Sequence, residues 1–147
     1  ELPEYLIFGG LIFIALNRNY IHSPGNVTPP LAYEHWYREL ERPRTRKDQA
    51  VLISRVLPSS VNSGYTNLHN FIVSTVNGKS INTLNDLDKM LKDIPLDTRH
   101  VVFESDWQNM PIVLDYKKSL EQQQSVLKRY GIMTGSNLSG MHNKGTQ

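Results

Sequence analysis

Apolar residues fall into a few short runs along this chain, and their spacing predicts most of its elements. The longest run, Tyr5 to Leu16, is interrupted by Gly9-Gly10. Leu11 to Leu16 is apolar on both faces and rich in isoleucine and phenylalanine, which predicts a buried strand entered through a glycine turn. Asn17 to Pro30, with Pro24-Gly25-Asn26 and Pro29-Pro30, reads as a loop. Leu31 to Glu41 places Leu31, Trp36, Tyr37 and Leu40 near helical spacing, with Pro30 in the first turn, where its missing N–H is harmless. Arg42 to Lys47 then breaks the pattern as a basic loop. Ala50 to Leu57 alternates as a strand, with Val51, Ile53 and Arg55 facing one way and Leu52, Ser54 and Val56 the other. A connection from Pro58 to Asn70 leads to a strand over Phe71 to Val76. Asn77-Gly78 is a hairpin turn, because both residues tolerate positive φ, and Lys79 to Ile81 is the short return strand.

The clearest helix runs from Leu84 to Ile94. Thr83 is a good N-cap, Asp86 and Asp88 suit the positive end of the helix dipole, and Pro95 ends it. Leu84, Leu87, Leu91 and Ile94 form one apolar stripe. Arg99 to Glu104 and Pro111 to Tyr116 read as strands. Ser119 with Gln122 is a capping-box pattern for a last helix that carries Gln123, Val126, Leu127 and Tyr130 and stops at Gly131. From Ser136 the residues are small and polar and read as a flexible tail. The sum is roughly five strands and three helices, an α+β fold with a mostly antiparallel, partly open sheet or barrel of five or six strands, capped by helices. One domain, residues 1–135 with an insertion at 17–49, accounts for it, followed by the tail at 136–147.

Composition removes several chemistries. With no cysteine, disulfides, thiolate metal sites and cysteine nucleophiles are excluded. A net charge of +2 weighs against an extended nucleic-acid surface, and the basic loop lacks interleaved aromatics. The apolar run at Tyr5 to Leu16 is shorter than the ~20 residues a membrane helix needs. His22, His35, His69, His100 and His142 show neither metal-ligand spacing nor a nucleophile–base pattern. No phosphate-binding glycine loop is present, since Gly9-Gly10 precedes a strand rather than a helix. The expectation is a chain without catalytic residues, metal or cofactor.

One arrangement points to binding. A glycine turn feeding an apolar strand can offer backbone N–H groups to a carboxylate, and the strand edge can pair with an extended peptide. The apolar stripe at Leu84 to Ile94 can wall such a groove. The same residues equally suit a tight turn and a helix that only packs the core.

The order of features then resembles a known family. Tyr5 to Phe13 resembles the "AGLVF"-like opening of the C-terminal PDZ domain in Deg/HtrA-type, trypsin-like serine proteases of the plant and eukaryotic branch. Val51 to Leu57 resembles its "VLSQVL" strand, Asn62 to Tyr65 its "NIGY" element, and Val76 to Leu87 its "FNG" hairpin and following helix. His100 to Glu104 and Ile112 to Asp115 resemble its closing strands, and Leu127 to Ile132 its "ILRDYGI" stretch.

The resemblance implies a PDZ fold that regulates proteolysis in a parent with an upstream catalytic domain. Its ligand would be an extended hydrophobic peptide, a protein C-terminus or an internal segment of the parent protease. The parent would be a homo-oligomer, organellar or nuclear if eukaryotic. Carried over, Phe8, Gly9, Gly10 and Leu11 form a carboxylate loop, and Leu11, Ile12 and Phe13 supply the pairing strand. Leu84, Leu87, Asp88 and Leu91 line the helix side. Leu84 and Leu91 are expected mainly in the groove and Ile94 mainly in the core. The family's loop has a bulky apolar residue where this chain has Gly9, which favours an internal segment over a free carboxylate. The insertion at 17–49 is a candidate cover for the groove. The alternatives are a structural oligomerisation domain with an occluded groove and a free-standing adaptor.

Overall fold

The structure, a computed structural model, describes residues 4–16 and 50–138. The loop read at Asn17 to Pro30, the helix read at Leu31 to Glu41 and the basic loop at Arg42 to Lys47 lie outside the described residues. The described strands are β1 (Tyr5–Phe8), β2 (Leu11–Leu16), β3 (Ala50–Val56), β4 (Phe71–Ile72), β5 (Thr75–Val76), β6 (Lys79–Ser80), β7 (His100–Glu104) and β8 (Ile112–Asp115). The helices are α1 (Leu84–Asp93) and α2 (Tyr116–Arg129), with a single 3-10 turn at Ser60–Asn62. The α+β class holds, but the strands form two antiparallel sheets of four, ordered β1-β2-β3-β4 and β6-β5-β7-β8, in place of one sheet of five or six.

The segment Phe71–Val76, read as one strand, is divided between these sheets. Val73 N donates to Val51 O at 2.9 Å in the first sheet, and Ser74 N donates to Glu104 O at 2.8 Å in the second. The chain therefore changes sheet between adjacent residues, which a run of apolar residues does not reveal. Phe13 and Phe103 meet edge to face at 5.2 Å and join the sheets through the core.

Alternation along β3 also departs from the simple pattern. The register steps from Ile12 opposite Arg55 to Phe13 opposite Ile53, leaving Ser54 as the extra residue of a bulge. A bulge reverses which face later side chains take. Val56 thus joins Val51 and Ile53 in the main core, while Leu52 packs with Ile72 in a second, smaller cluster.

Both helices start at well-made caps. Thr83 Oγ1 accepts from Asp86 N at 3.0 Å while Asp86 Oδ2 accepts from Thr83 N at 3.1 Å, a reciprocal pair that satisfies two otherwise free donors. The start of α2 lies three residues before the predicted cap: Asp115 Oδ1 accepts from Lys118 N at 2.9 Å. Ser119 sits inside the first turn and donates to Asp115 O at 2.8 Å. Asp115 closes β8 and caps α2 at once, so strand pattern hid the cap. At the other end Gly131 takes φ 70°. The N–H groups of Gly131 and Ile132 return to Lys128 O and Leu127 O at 3.1 and 2.9 Å, a glycine stop of the expected kind.

Ser136, Asn137 and Leu138, assigned by composition to a flexible tail, are held against the first sheet. Ser136 bridges Leu6, Asn137 N donates to Tyr5 O at 3.3 Å, and Leu138 is 2 % exposed in the main core. Small polar residues here are an edge-pairing segment with one apolar anchor.

Candidate functional site

Gly9 and Gly10, expected to form a carboxylate loop, are the two-residue turn of a hairpin. Their φ values are 59° and 78°, the left-handed region that glycine enters without steric cost. Phe8 faces Leu11 across the turn, and the β1–β2 pairing continues through Ile7–Ile12 and Leu6–Phe13 to Tyr5–Ile14.

Asn62, fully buried, clamps this turn from outside. Its Nδ2 donates to Gly9 O at 3.0 Å and to Leu57 O at 2.8 Å, and its Oδ1 accepts from Ser59 N at 3.0 Å. Leu57 N donates to Gly10 O at 2.6 Å. A Cβ on Gly10 would meet Asn62 Nδ2 and, at 2.6 Å, the backbone oxygen of Leu57. Gly10 is therefore small because the fold fills the space beside it. The sequence offers Asn62 only as the first residue of the "NIGY"-like element; its clamping role rests on the Ser59-x-x-Asn62 spacing, across which its side chain turns back to the Ser59 N–H around the 3-10 turn.

The expected pairing strand is corrected by the same topology. Along Leu11, Ile12 and Phe13, β2 pairs with β1 on one side and β3 on the other, so neither edge is open to a further strand. Strand addition needs a row of unpaired backbone groups. Leu11 and Phe13 have no exposed surface, and Ile12 is half-buried.

The helix wall is likewise closed. Leu84, Leu87 and Leu91 are buried in one cluster with Leu6 and Phe8 of β1. The expected split between groove and core leucines is absent, since Leu84 and Leu91 are 0 % and 5 % exposed and Ile94 is 8 %. Asp88 is buried too, and its carboxylate pairs with Lys92 Nζ at 3.1 Å one turn along.

Phe8 stacks on Tyr116 with ring centroids 6.1 Å apart. The Tyr116 hydroxyl donates to Leu91 O at 3.1 Å at the end of α1, tying both helices to the hairpin. Burial pushes the Tyr116 phenol above its ordinary range, because the phenolate would lose its hydration. Of the predicted site residues, Phe8, Leu11, Phe13, Leu84, Leu87 and Leu91 share one core cluster, packed as a hairpin and helix rather than lining an open groove.

An open cleft of about 450 Å³ lies between α1 and the β5–β6 hairpin, bordered by Val76, Lys79, Met90, Ile94 and Pro95, and none of the predicted site residues lines it. Among the described residues no three or more His, Asp or Glu side chains gather as a metal site, and no helix is long and apolar enough to cross a membrane.

Comparison with known proteins identifies the family. The family profile described as PDZ domain matches residues 1–137. Over 125 residues the chain is 32 % identical to "Putative protease Do-like 3, mitochondrial" of Arabidopsis thaliana, covering 85 % of this chain and 20 % of that protein. It is 33 % identical over 133 residues to "Protease Do-like 2, chloroplastic" of the same plant, covering 88 % of this chain and 21 % of the relative. With "Putative protease Do-like 12, mitochondrial" it shares 29 % identity over 137 residues, covering 90 % and 22 %. The chain thus spans about a fifth of the length of these curated relatives.

Proposed function

This chain belongs to the PDZ domain family, and from that premise we propose that it is the interaction domain of a Deg-type serine protease, controlling assembly or proteolysis with its β2 groove filled from within. The single observation behind this reading is that β1 holds the place on β2 that an added peptide would take. A PDZ ligand gains affinity through main-chain hydrogen bonds to a strand edge, with pockets for alternate side chains. Here β1 makes those hydrogen bonds, and Leu6 and Phe8 fill the apolar space below α1. Gly9, in place of a bulky residue, lets the chain turn back sharply and supply this internal strand. The chain itself does no chemistry in this account, and hydrolysis belongs to a separate catalytic domain of the parent.

The test uses the full-length parent with and without this domain. Light scattering and casein degradation are measured for both. The proposal expects a change in assembly size, in degradation rate, or in both, and unchanged values in the two assays overturn it.

A further inference from the structure

The outer edge of β1 is occupied in the manner of a bound peptide. Ile7 N donates to Gly135 O at 2.7 Å, and Asn137 N donates to Tyr5 O at 3.3 Å. Tyr5 N donates to Asn137 Oδ1 at 2.7 Å, and the Tyr5 hydroxyl donates to Thr134 O at 2.9 Å. Ser136 lies opposite Leu6 in an antiparallel bridge. Five consecutive residues, 134–138, therefore run along β1 without belonging to a regular strand themselves.

Three positions of this segment have a reason for their residue. A Cβ on Gly135 would come within 2.9 Å of Gln123 Nε2, the end of a flexible side chain, and 3.6 Å of Leu127 Cδ1, so the α2 wall favours a small residue there. Asn137 supplies the amide oxygen that accepts the Tyr5 N–H. Leu138 enters the main core and is 2 % exposed, the anchor of the segment. The opposite wall is α2, whose Gln123 Nε2 donates to Ile7 O at 2.7 Å. Gln123 Oε1 is buried with no partner among the described residues, an acceptor open to a donor at this edge. The connector before the segment faces solvent: Met133 is 99 % exposed and Gly131 has open space beside it.

We infer that the edge of β1 facing α2 is a peptide-binding site for extended segments carrying Gly-x-Asn-Leu, with Gly135–Leu138 of this chain as its resident ligand. The inference rests on the reading of the chain as an interaction domain and gives that domain its ligand class. Backbone pairing fixes direction and register, a small residue is favoured by the α2 wall, Asn by the Tyr5 amide, and Leu by the core pocket. The segment leaves its site at the cost of a few edge hydrogen bonds and one buried leucine, while β1 and β2 stay paired.

The experiment truncates the chain after Met133 and adds a synthetic peptide of residues 132–138 in trans, followed by calorimetry and circular dichroism. Saturable binding is expected, with the Leu138→Asp peptide about thirtyfold weaker or worse, the equivalent of about 2 kcal/mol at about 1.4 kcal/mol per tenfold. The intact chain should take up the same peptide about tenfold more weakly than the truncated one, because its own segment competes. If the truncated chain is unfolded alone, the peptide must restore its folded spectrum. A truncated chain that neither binds the peptide nor refolds with it overturns the assignment, as does equal affinity in the intact and truncated chains. Light scattering of the intact chain separates two sources of the segment: a monomer holds it in cis, and a dimer lost on truncation takes it from a second copy, and in both cases the site stands. The parent's assembly assay is independent of this result, so failure of the peptide site and failure of the interaction-domain reading are told apart.

Discussion

Two hairpins in this molecule turn through the same backbone solution with different consequences. Gly9-Gly10 and Asn77-Gly78 both take positive φ at both residues, at 59° and 78° in the first and 49° and 81° in the second. Around the first turn the fold is full: a Cβ on Gly9 would lie 2.5 Å from Leu114 Cδ1, and one on Gly10 would strike Asn62 and Leu57. Around Gly78 nothing lies within 4 Å. Glycine is required at Gly78 by dihedral angle alone and at Gly10 by angle and neighbours together. The crowded turn is the one at which a ligand loop was expected, and the crowding is what makes it part of the scaffold.

Breaking this contrast should give graded losses in denaturant melts. Gly10→Ala is expected to be the most severe, at about 2–5 kcal/mol, from left-handed strain and overpacking against a backbone oxygen. Asn62→Ala should follow at about 2–3 kcal/mol, because the buried Gly9 and Leu57 oxygens and the Ser59 N–H lose their partner together. Gly78→Ala should cost only the left-handed strain, about 1–2 kcal/mol. A Gly10→Ala loss no larger than that of Gly78→Ala would dissolve the distinction.

The smallest effect sharpens the account at the far end of the hairpin packing. Tyr116→Phe should cost about 1 kcal/mol near neutral pH, from the lost hydrogen bond to Leu91 O. Because burial raises the folded-state pKa, the unfolded chain releases the phenolic proton first as pH passes about 10. Stability must then fall with rising pH, and Tyr116→Phe should lose part of that dependence. Urea melts at pH 8 and at higher pH compare the two slopes.

Much of this fold was legible in the residues, for reasons that also explain what was not. Thr83, the stripe of Leu84, Leu87 and Leu91, and Pro95 specify α1 locally, and Asn77-Gly78 specifies its hairpin. Gly9-Gly10 carries the same local signal, but an apolar run on both sides suits a buried hairpin and a ligand-pairing strand alike. What decides is the clamp by Asn62, more than fifty residues away. The bulge at Ser54 and the change of sheet at Val73-Ser74 are likewise settled by partners distant in sequence. Phe8, Leu11, Phe13, Leu84, Leu87 and Leu91 share one core because the pattern of apolar positions reflects one packed unit. Whether that unit is open or filled depends on which strand lies beside β2, and spacing carries no record of it. Ser136 to Leu138 shows the same limit, since small polar composition describes an edge-pairing segment as well as a loose tail.

The central claim, that β1 occupies the strand-addition place on β2, is tested most directly by nuclear magnetic resonance of the intact chain. A hydrophobic peptide with a free C-terminus is titrated in while the amides of Leu11, Ile12 and Phe13 and the Leu6–Phe13 and Ile7–Ile12 cross-strand contacts are followed. The account predicts that these contacts persist at every peptide concentration and that the three amides neither shift saturably nor lose protection from exchange. Saturable shifts at Leu11 to Phe13, accompanied by loss of the β1–β2 contacts, would show the peptide replacing β1 and would contradict it.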